Sequence, residues 1–311
     1  MTSRAELVAA AGATIAQGSQ SFAAASKLFA PETRDRAWLL YAWCRAADDM
    51  TDGQELGHSA PNSSCAPADP VGAQLELGAL TAAALDSEAD VPLPFAALRQ
   101  VARETAMPRG LIADHLAGFA LDAEGWQPDS EADLLRYCYH VAGTVGCMMA
   151  VVMGVDPADE DTLDRACDLG LAFQLANIAR DVVPDAAVGR CYVPAQWLAE
   201  EGLEGADLTQ PQHRAALARI AARLVALSRP YRTSARIGAA RLPSRSRLAV
   251  LAADAIYGAI GERVAAKGAQ AWDQRVRVST AGKLALFVAA AGRSIATPTE
   301  TPRTGLWDRP I

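Results

Sequence analysis

The 311-residue chain is poor in what builds a sheet: Phe, Trp and Tyr number six each. With the β-branched residues they never gather into short alternating runs closed by turn residues. A sheet is therefore not expected. No Cys-x-x-Cys pair occurs among Cys44, Cys65, Cys138, Cys147, Cys167 and Cys191, so reduced core thiols are expected rather than disulfides or a zinc site. The four histidines are scattered, and Glu55-x-x-His58, which alone has the spacing of a di-iron ligand pair, has no second copy. Any repeat of fixed period is missing, as is a Gly-rich dinucleotide fingerprint. The longest apolar stretches, such as Leu284 to Gly292, fall well short of the roughly 20 residues a spanning helix needs. Basic charge is not in excess either: 29 Lys and Arg against 36 Asp and Glu give a net −7. That sign excludes a nucleic-acid footprint. It leaves phosphorylated substrates open, because metal ions invert local charge.

What is present is helical. The apolar fraction is 51%, much of it alanine, which suits closely packed helices. A period of 3.6 predicts helices over 4–16, 20–29, 32–51, 71–86, 94–106, 108–122, 130–154, 158–184, 194–201, 211–240, 244–268 and 279–293. Pro31-Glu32 opens one as proline in a first turn should, and Ser130-Glu-Ala-Asp133 reads as a capping box. The fold class expected is all-α, with one domain over 1–296, a mobile Pro/Ser/Gly-rich loop over about 53–72 and a disordered Pro/Thr-rich tail over 297–311. Near the N-terminus Arg4 precedes an alanine-rich run, but Glu6 and Gln17 interrupt it. A mature cytoplasmic protein is expected.

One pattern occurs twice. Tyr41, Arg45, Asp48 and Asp52 are spaced by four, three and four within a strong helical pattern, so they stack on one helix face. Trp38 and Trp43 beside them place that helix deep in the protein. Gln174, Asn177, Asp181 and Asp185 form a second oxygen-rich stripe on a helix otherwise made of Leu, Ala, Ile and Phe. Polar oxygens on a buried helix are costly unless something binds them. Carboxylates four apart repel at roughly 6 Å, and a cation relieves this. Oxygen ligands without thiolate or imidazole select Mg²⁺ or Mn²⁺, and Mg²⁺ commonly bridges carboxylates to phosphates. For either stripe alone, an amphipathic helix with a solvated face stays open. Two such stripes, each followed by a loop and flanked by arginine, favour metal ions around a diphosphate.

At these residues the chain resembles the squalene and phytoene synthase family, in its bacterial phytoene synthase branch, over nearly its whole length. The motifs are Ser19-x-Ser21-Phe22 followed by Lys27-Leu-Phe29, Pro31-Glu-Thr-Arg34, Tyr41-Ala-Trp-Cys-Arg45, Tyr137-Cys-Tyr139-His-Val-Ala-Gly143-Thr-Val-Gly146, Gln174-x-x-Asn177-Ile-x-Arg180-Asp181 and Gly189-Arg190-x-Tyr192-x-Pro194. One departure stands out: the family usually has an acid where Pro184 sits. Proline inside a helix removes a hydrogen bond, so the helix is expected to kink or end there, leaving Asp185 as the loosest ligand.

The resemblance implies an isoprenoid synthase helical bundle with a central substrate cavity and head-to-head joining of two geranylgeranyl diphosphates. It implies Mg²⁺ on Asp48, Asp52, Asn177, Asp181 and Asp185, with Arg45, Arg180, Arg190 and Arg275 on the phosphates, a structural ion pair with a helix neighbour being the alternative for each arginine. Tyr41 and Tyr257 are implied at the reacting cation or the phosphates, and Ser19, Ser21, Phe22 and Gln174 at the substrate. The run Gly143 to Ala150 either passes a prenyl tail or packs helices closely. No NADPH is expected. Rival readings are a squalene or dehydrosqualene synthase acting on C15 diphosphates, and a non-catalytic helical assembly factor, which should have lost an acidic stripe. Insoluble substrate tails and product imply contact with the inner face of the cell membrane through apolar helix faces near the C-terminus.

Overall fold

The computed structural model describes residues 2–18, 23, 25–52 and 69–310, with Asp52 described in its backbone alone. Among these residues there are twelve α-helices and no strand. Ser19, Ser21, Phe22, Cys65, four residues of the expected 20–29 helix (20–22 and 24) and most of the expected loop lie outside the described residues; of that helix's described part, Lys27, Leu28 and Phe29 form a turn and not helix.

The chain groups into two compact units. The first, Met1–Glu124 with Met148–Asp159, contains α1 (Arg4–Gly18), α2 (Pro31–Asp52), α3 (Pro70–Asp86), α4 (Leu93–Thr105) and α5 (Arg109–Ala123). Helix α2 packs against each of the other four. Its apolar face, Ala37, Leu39, Leu40, Ala42, Trp43 and Ala47, is buried. Trp43 is held by an N–H bond to Thr81 Oγ1 at 3.4 Å and by the His115 ring at 5.5 Å. At the far end of this unit Glu104 accepts from Arg4, Arg36 and Gln100. Helix starts follow their caps: Asp69 accepts from the Gly72 N–H at 2.8 Å, with Pro70 in the first turn.

The second unit, Gly125–Cys147 with Glu160–Ile311, begins with α6 (Glu131–Cys138), a π-helical turn (Tyr139–Gly143) and the start of α7 (Thr144–Val152). It continues with α8 (Glu160–Ala187), α9 (Ala195–Glu200), α10 (Arg214–Ala239), α11 (Ser244–Lys267) and α12 (Thr280–Ile295). Helix α8 is its hub, packed against α6, the π turn, α10 and α11. Ser130 caps α6 by the expected reciprocal bonds with Asp133.

Three expectations are corrected. The single helix over 130–154 carries a π turn, in which the Thr144 N–H bonds back to the Tyr139 carbonyl. Helix α8 does not stop at Pro184 but runs to Ala187; proline there removes one hydrogen bond without ending the turn. The tail is not disordered over its described length. Arg303 donates to both oxygens of Asp168 at 2.9 and 2.8 Å, Arg309 Nε reaches Asp164 at 2.7 Å, and the Trp307 N–H bonds to the Tyr231 hydroxyl at 3.2 Å. Composition read this segment as unstructured because it does not register pairing to the wholly buried Asp168.

The Gly143–Ala150 run serves close packing. A Cβ on Gly146 would fall 2.3 Å from the Ala166 carbonyl oxygen, and one on Gly170 only 2.2 Å from that of Ala142, so backbones meet where side chains are absent.

Candidate active site on two acidic helix faces

Each stripe lies on the hub helix of its own unit. On α2, Tyr41, Arg45 and Asp48 are half-buried while the intervening Ala42, Trp43 and Ala47 are buried, so the polar face is the accessible one. Arg45 Nη1 donates to Asp48 at 2.6 Å and lies 3.6 Å from Asp49. Burial pulls the Arg45 pKa down, but Asp48, then Tyr41 and Asp49, raise it above its ordinary value. Among the described residues its Nε is buried without a hydrogen-bond acceptor. Gly18 makes room for this pair: a Cβ there would sit 2.7 Å from the Tyr41 hydroxyl and 3.9 Å from Arg45 Nε. Asp52 closes the helix one turn beyond Asp48.

On α8 the stripe is again the half-buried face, between buried Leu171, Ala172, Leu175, Ala176, Ile178, Ala179 and Val182. Asn177 Nδ2 donates to Gln174 Oε1 at 3.4 Å. Arg180 forks onto Asp181, its Nε at 2.9 and 3.0 Å from the two oxygens and its Nη2 at 2.5 Å from one. Arg275, from the segment between α11 and α12, adds a bond to Asp181 at 3.1 Å. The Tyr257 ring, from α11, stacks on Phe173 with centroids 4.1 Å apart. Burial lowers the Arg180 pKa, while Asp181, Tyr257 and Asp185 raise it further, so it stays charged.

Asp185 is pushed up to about 7, first by burial and then by the negative charge of Asp181, against the opposing pull of Arg190, Arg180 and Arg275. Its backbone ends the helix. The Arg190 N–H bonds to the Asp185 carbonyl at 2.9 Å and the Gly189 N–H to that of Ala186 at 3.1 Å, with Gly189 at φ 79°. This is the Schellman arrangement, which requires a residue without Cβ strain at the turn. It explains Gly189-Arg190 as a unit: the glycine reverses the chain and the arginine is returned toward the last aspartate.

The donor set fits a magnesium ion. Two oxygen-donor carboxylates stand on successive turns, and burial, then the charge of Asp181, disfavours the anionic form of Asp185, which a bound cation would stabilise. Among the described residues no three His, Cys, Asp or Glu side chains come together as a metal-holding group. Mg²⁺ accepts that, since it binds through one or two carboxylates and fills its shell with water and phosphate oxygens.

The structure thus joins Gln174, Asn177, Arg180, Asp181, Asp185, Tyr257 and Arg275 in one neighbourhood, with Arg190 acting electrostatically on Asp185. It joins Tyr41, Arg45 and Asp48 in another. Asp49 and Phe173 were missed by the spacing argument. Asp49 is four residues from Arg45, a signal present in the sequence; Phe173 gave none, being one apolar residue among many. Tyr137 and Tyr192 are accounted for by packing: Tyr192 stacks on Tyr137 at 4.9 Å and Tyr137 on Trp126 at 5.7 Å. That stack fastens the chain leaving α8.

The sequence profile of the squalene/phytoene synthases matches residues 15–281. A 15-cis-phytoene synthase of Enterobacter agglomerans is 50% identical over 297 residues, covering 94% of this chain and 99% of that protein. One from Paracoccus sp. is 46% identical over 308 residues, covering 98% of each. A dehydrosqualene synthase crystallised with a ligand shares the fold at a TM-score of 0.81 and 24% identity, over 93% of this chain and 96% of that one. A squalene synthase, HpnC from Alicyclobacillus acidocaldarius, does so at a TM-score of 0.72 and 20% identity, over 84% of this chain and 94% of that one. The chain belongs to the squalene/phytoene synthase family.

Proposed function

We propose that this chain is a phytoene synthase, joining two geranylgeranyl diphosphates head to head through prephytoene diphosphate. The observation that carries the chemistry is the second stripe. Asp181 is held between Arg180 and Arg275, and Asp185 is left partly desolvated beside it. The relatives at 46% and 50% identity are 15-cis-phytoene synthases, which supports the C40 product over a C30 one.

The difficult step is expelling diphosphate from an allylic carbon, because negative charge builds on the leaving oxygen. Arg45, Arg180, Arg190 and Arg275 supply fixed positive charge and forked hydrogen bonds to phosphate oxygens. Asp48, Asp52, Asn177, Asp181 and Asp185 would hold Mg²⁺, or Mn²⁺, which when bound supplies Lewis-acid stabilisation of the leaving group. Tyr41, beside Arg45, and Tyr257, stacked on Phe173, shield the carbocation with aromatic faces. Ser19, Ser21, Phe22 and Gln174 contact substrate. The allylic cation of the donor is captured by the double bond of the acceptor, giving the cyclopropyl intermediate. A second ionisation and rearrangement end in proton loss, so no NADPH is consumed.

Among the described residues no helix is long and apolar enough to cross a membrane. The insolubility of the prenyl tail and of the product places the chain at the inner face of the cell membrane as a peripheral protein. Diphosphate release from geranylgeranyl diphosphate by purified protein tests the catalytic reading: release that depends on Mg²⁺ is expected, and no release under any metal would return the chain to the helical assembly factors.

A further inference from the structure

Helix α12 is anchored by its inner face, where Ala290 and Phe287 pack with Ala239, Leu251 and Ala252. Its outer face is unusual for one that meets water. Leu284 is 64% exposed, Val288 62% and Ile295 86%, and Ala281, Ala285, Ala289 and Gly292 are exposed beside them. These residues follow the three-and-four spacing of one helix face and form an apolar stripe about 21 Å long. Lys283 and Arg293 carry the helix's only charges, both positive.

Next to the start of α12 lies a cavity of about 490 Å³ lined by Arg263, Ala266, Lys267, Gln274, Arg275, Val276 and Arg277. Four of these are cationic and none is acidic, in a chain whose net charge is −7. Arg275 is bound to Asp181, whereas Arg263, Lys267 and Arg277 form no ion pair with the described residues. The cavity and the helix are joined at Gly282: a Cβ there would lie 3.6 Å from Arg263 Nη2, so this guanidinium sits against the first turn of α12. Arg263 also donates to the Arg277 carbonyl at 2.8 Å, which fixes the two sides of the cradle to each other.

We propose that Arg263, Lys267 and Arg277, with the outward face of α12, form the docking surface for a bilayer containing anionic phospholipid. The cradle takes the phosphodiester headgroups and the stripe of Leu284, Val288 and Ile295 enters the boundary between headgroups and acyl chains. Charge complementarity selects this occupant. An apolar stripe on a helix whose own charges are both positive, beside a cradle lined by four cationic residues and no acidic one, matches the interface of an anionic leaflet, where a basic segment and a shallow apolar face bind together. Docking here also gives the catalytic stripe a defined address, because Arg275 lines the cradle with one side and bonds Asp181. The inference rests on the membrane contact proposed above, to which it adds the residues and the lipid class; the condensation chemistry does not depend on it.

The test is co-sedimentation of the full chain with vesicles of phosphatidylcholine alone and of phosphatidylcholine mixed with phosphatidylglycerol, at low and high salt. Wild type is expected to bind the anionic vesicles, and less at high salt. Lys267→Glu/Arg277→Glu is expected to bind about tenfold or more weakly, and Val288→Asp to lose binding as well. Both variants should keep the wild-type melting curve and turn over detergent-dispersed substrate normally. Wild-type vesicle binding by the folded double variant would overturn the cradle while leaving the membrane contact standing. Absence of binding to either vesicle would remove the membrane contact itself. Inorganic phosphate binding lost in the double variant, with vesicle binding unchanged, would assign the cradle to free phosphate and overturn the proposal, as would a dimer in solution that Val288→Asp dissociates.

Discussion

Arg190 is tied to Asp185 twice, by its backbone N–H on the Asp185 carbonyl at 2.9 Å and by the pull of its charge on the Asp185 carboxyl. The turn that makes this possible is Gly189 at φ 79°. No heavy atom waits within 4 Å of a Cβ there, so a substitution is opposed by backbone strain alone. Gly189→Ala is expected to cost about 1–2 kcal/mol in urea denaturation and to reduce turnover, with Gly189→Asn milder on both counts. Unchanged stability in Gly189→Ala would show that the turn relaxes freely and that the glycine does not position Arg190.

The two aspartates of the second stripe are unequal. Asp181 is gripped by two arginines in the body of α8, whereas Asp185 follows Pro184 in the last turn. Asp181→Asn is expected to lower turnover by orders of magnitude. Asp185→Asn should lose less and recover partly at high Mg²⁺. Equal losses that Mg²⁺ does not rescue would mean that the continuation of α8 to Ala187 holds Asp185 as firmly as its partner.

How far the sequence could be read depended on the range of the interaction. Helix positions followed from a 3.6 period, because packing an apolar face is a local pattern, and nearly every expected helix is found within a few residues. Both stripes were visible for the same reason, as Asp181 and Asp185 are one turn apart on one face. The Arg275 bond to Asp181 was not a matter of periodicity, since it joins segments 94 residues apart; the family resemblance put Arg275 on the phosphates and said nothing of Asp181. The tail failed most plainly: Arg303 looks like any basic residue among Pro and Thr until the buried Asp168 is placed opposite it. The π turn at Tyr139–Gly143 left no trace either, because one displaced hydrogen bond does not alter the apolar pattern.

Removing Arg303 would strand a carboxylate that is 0% exposed. Burial already raises the Asp168 pKa, with Arg303 as the chief counterweight. Arg303→Met is expected to cost about 3 kcal/mol of stability, and Asp168→Leu in the same chain to restore much of it. Guanidinium denaturation of the single and double variants measures this. A single variant as stable as wild type would show that the tail is not bound to α8 in solution.

Glu104 gives the first unit a pH dependence. Burial raises its pKa, but hydrogen bonds from Arg4, Gln100 and Arg36 prevail and lower it to about 2 from 4.5. A carboxyl depressed in the folded chain binds fewer protons folded than unfolded. Its stabilisation is therefore fully present above about pH 4.5 and is lost as the pH falls toward 2. The contribution should be about 1–2 kcal/mol, the exposed ends of the arginines reducing it. In acid titrations followed by circular dichroism, Glu104→Gln should be less stable than wild type at neutral pH, with the difference closing below pH 4.5. A difference that persists unchanged to low pH would assign the loss to packing and not to the charge.

Joining of two C20 diphosphates without a reductant is tested directly on the purified chain. Purified protein is incubated with geranylgeranyl diphosphate or farnesyl diphosphate, with Mg²⁺, in the presence and absence of NADPH, and the hydrocarbons are identified by mass. Phytoene is expected from the C20 substrate, dependent on Mg²⁺ and indifferent to NADPH. A C30 hydrocarbon from the C15 substrate with no C40 product would contradict it.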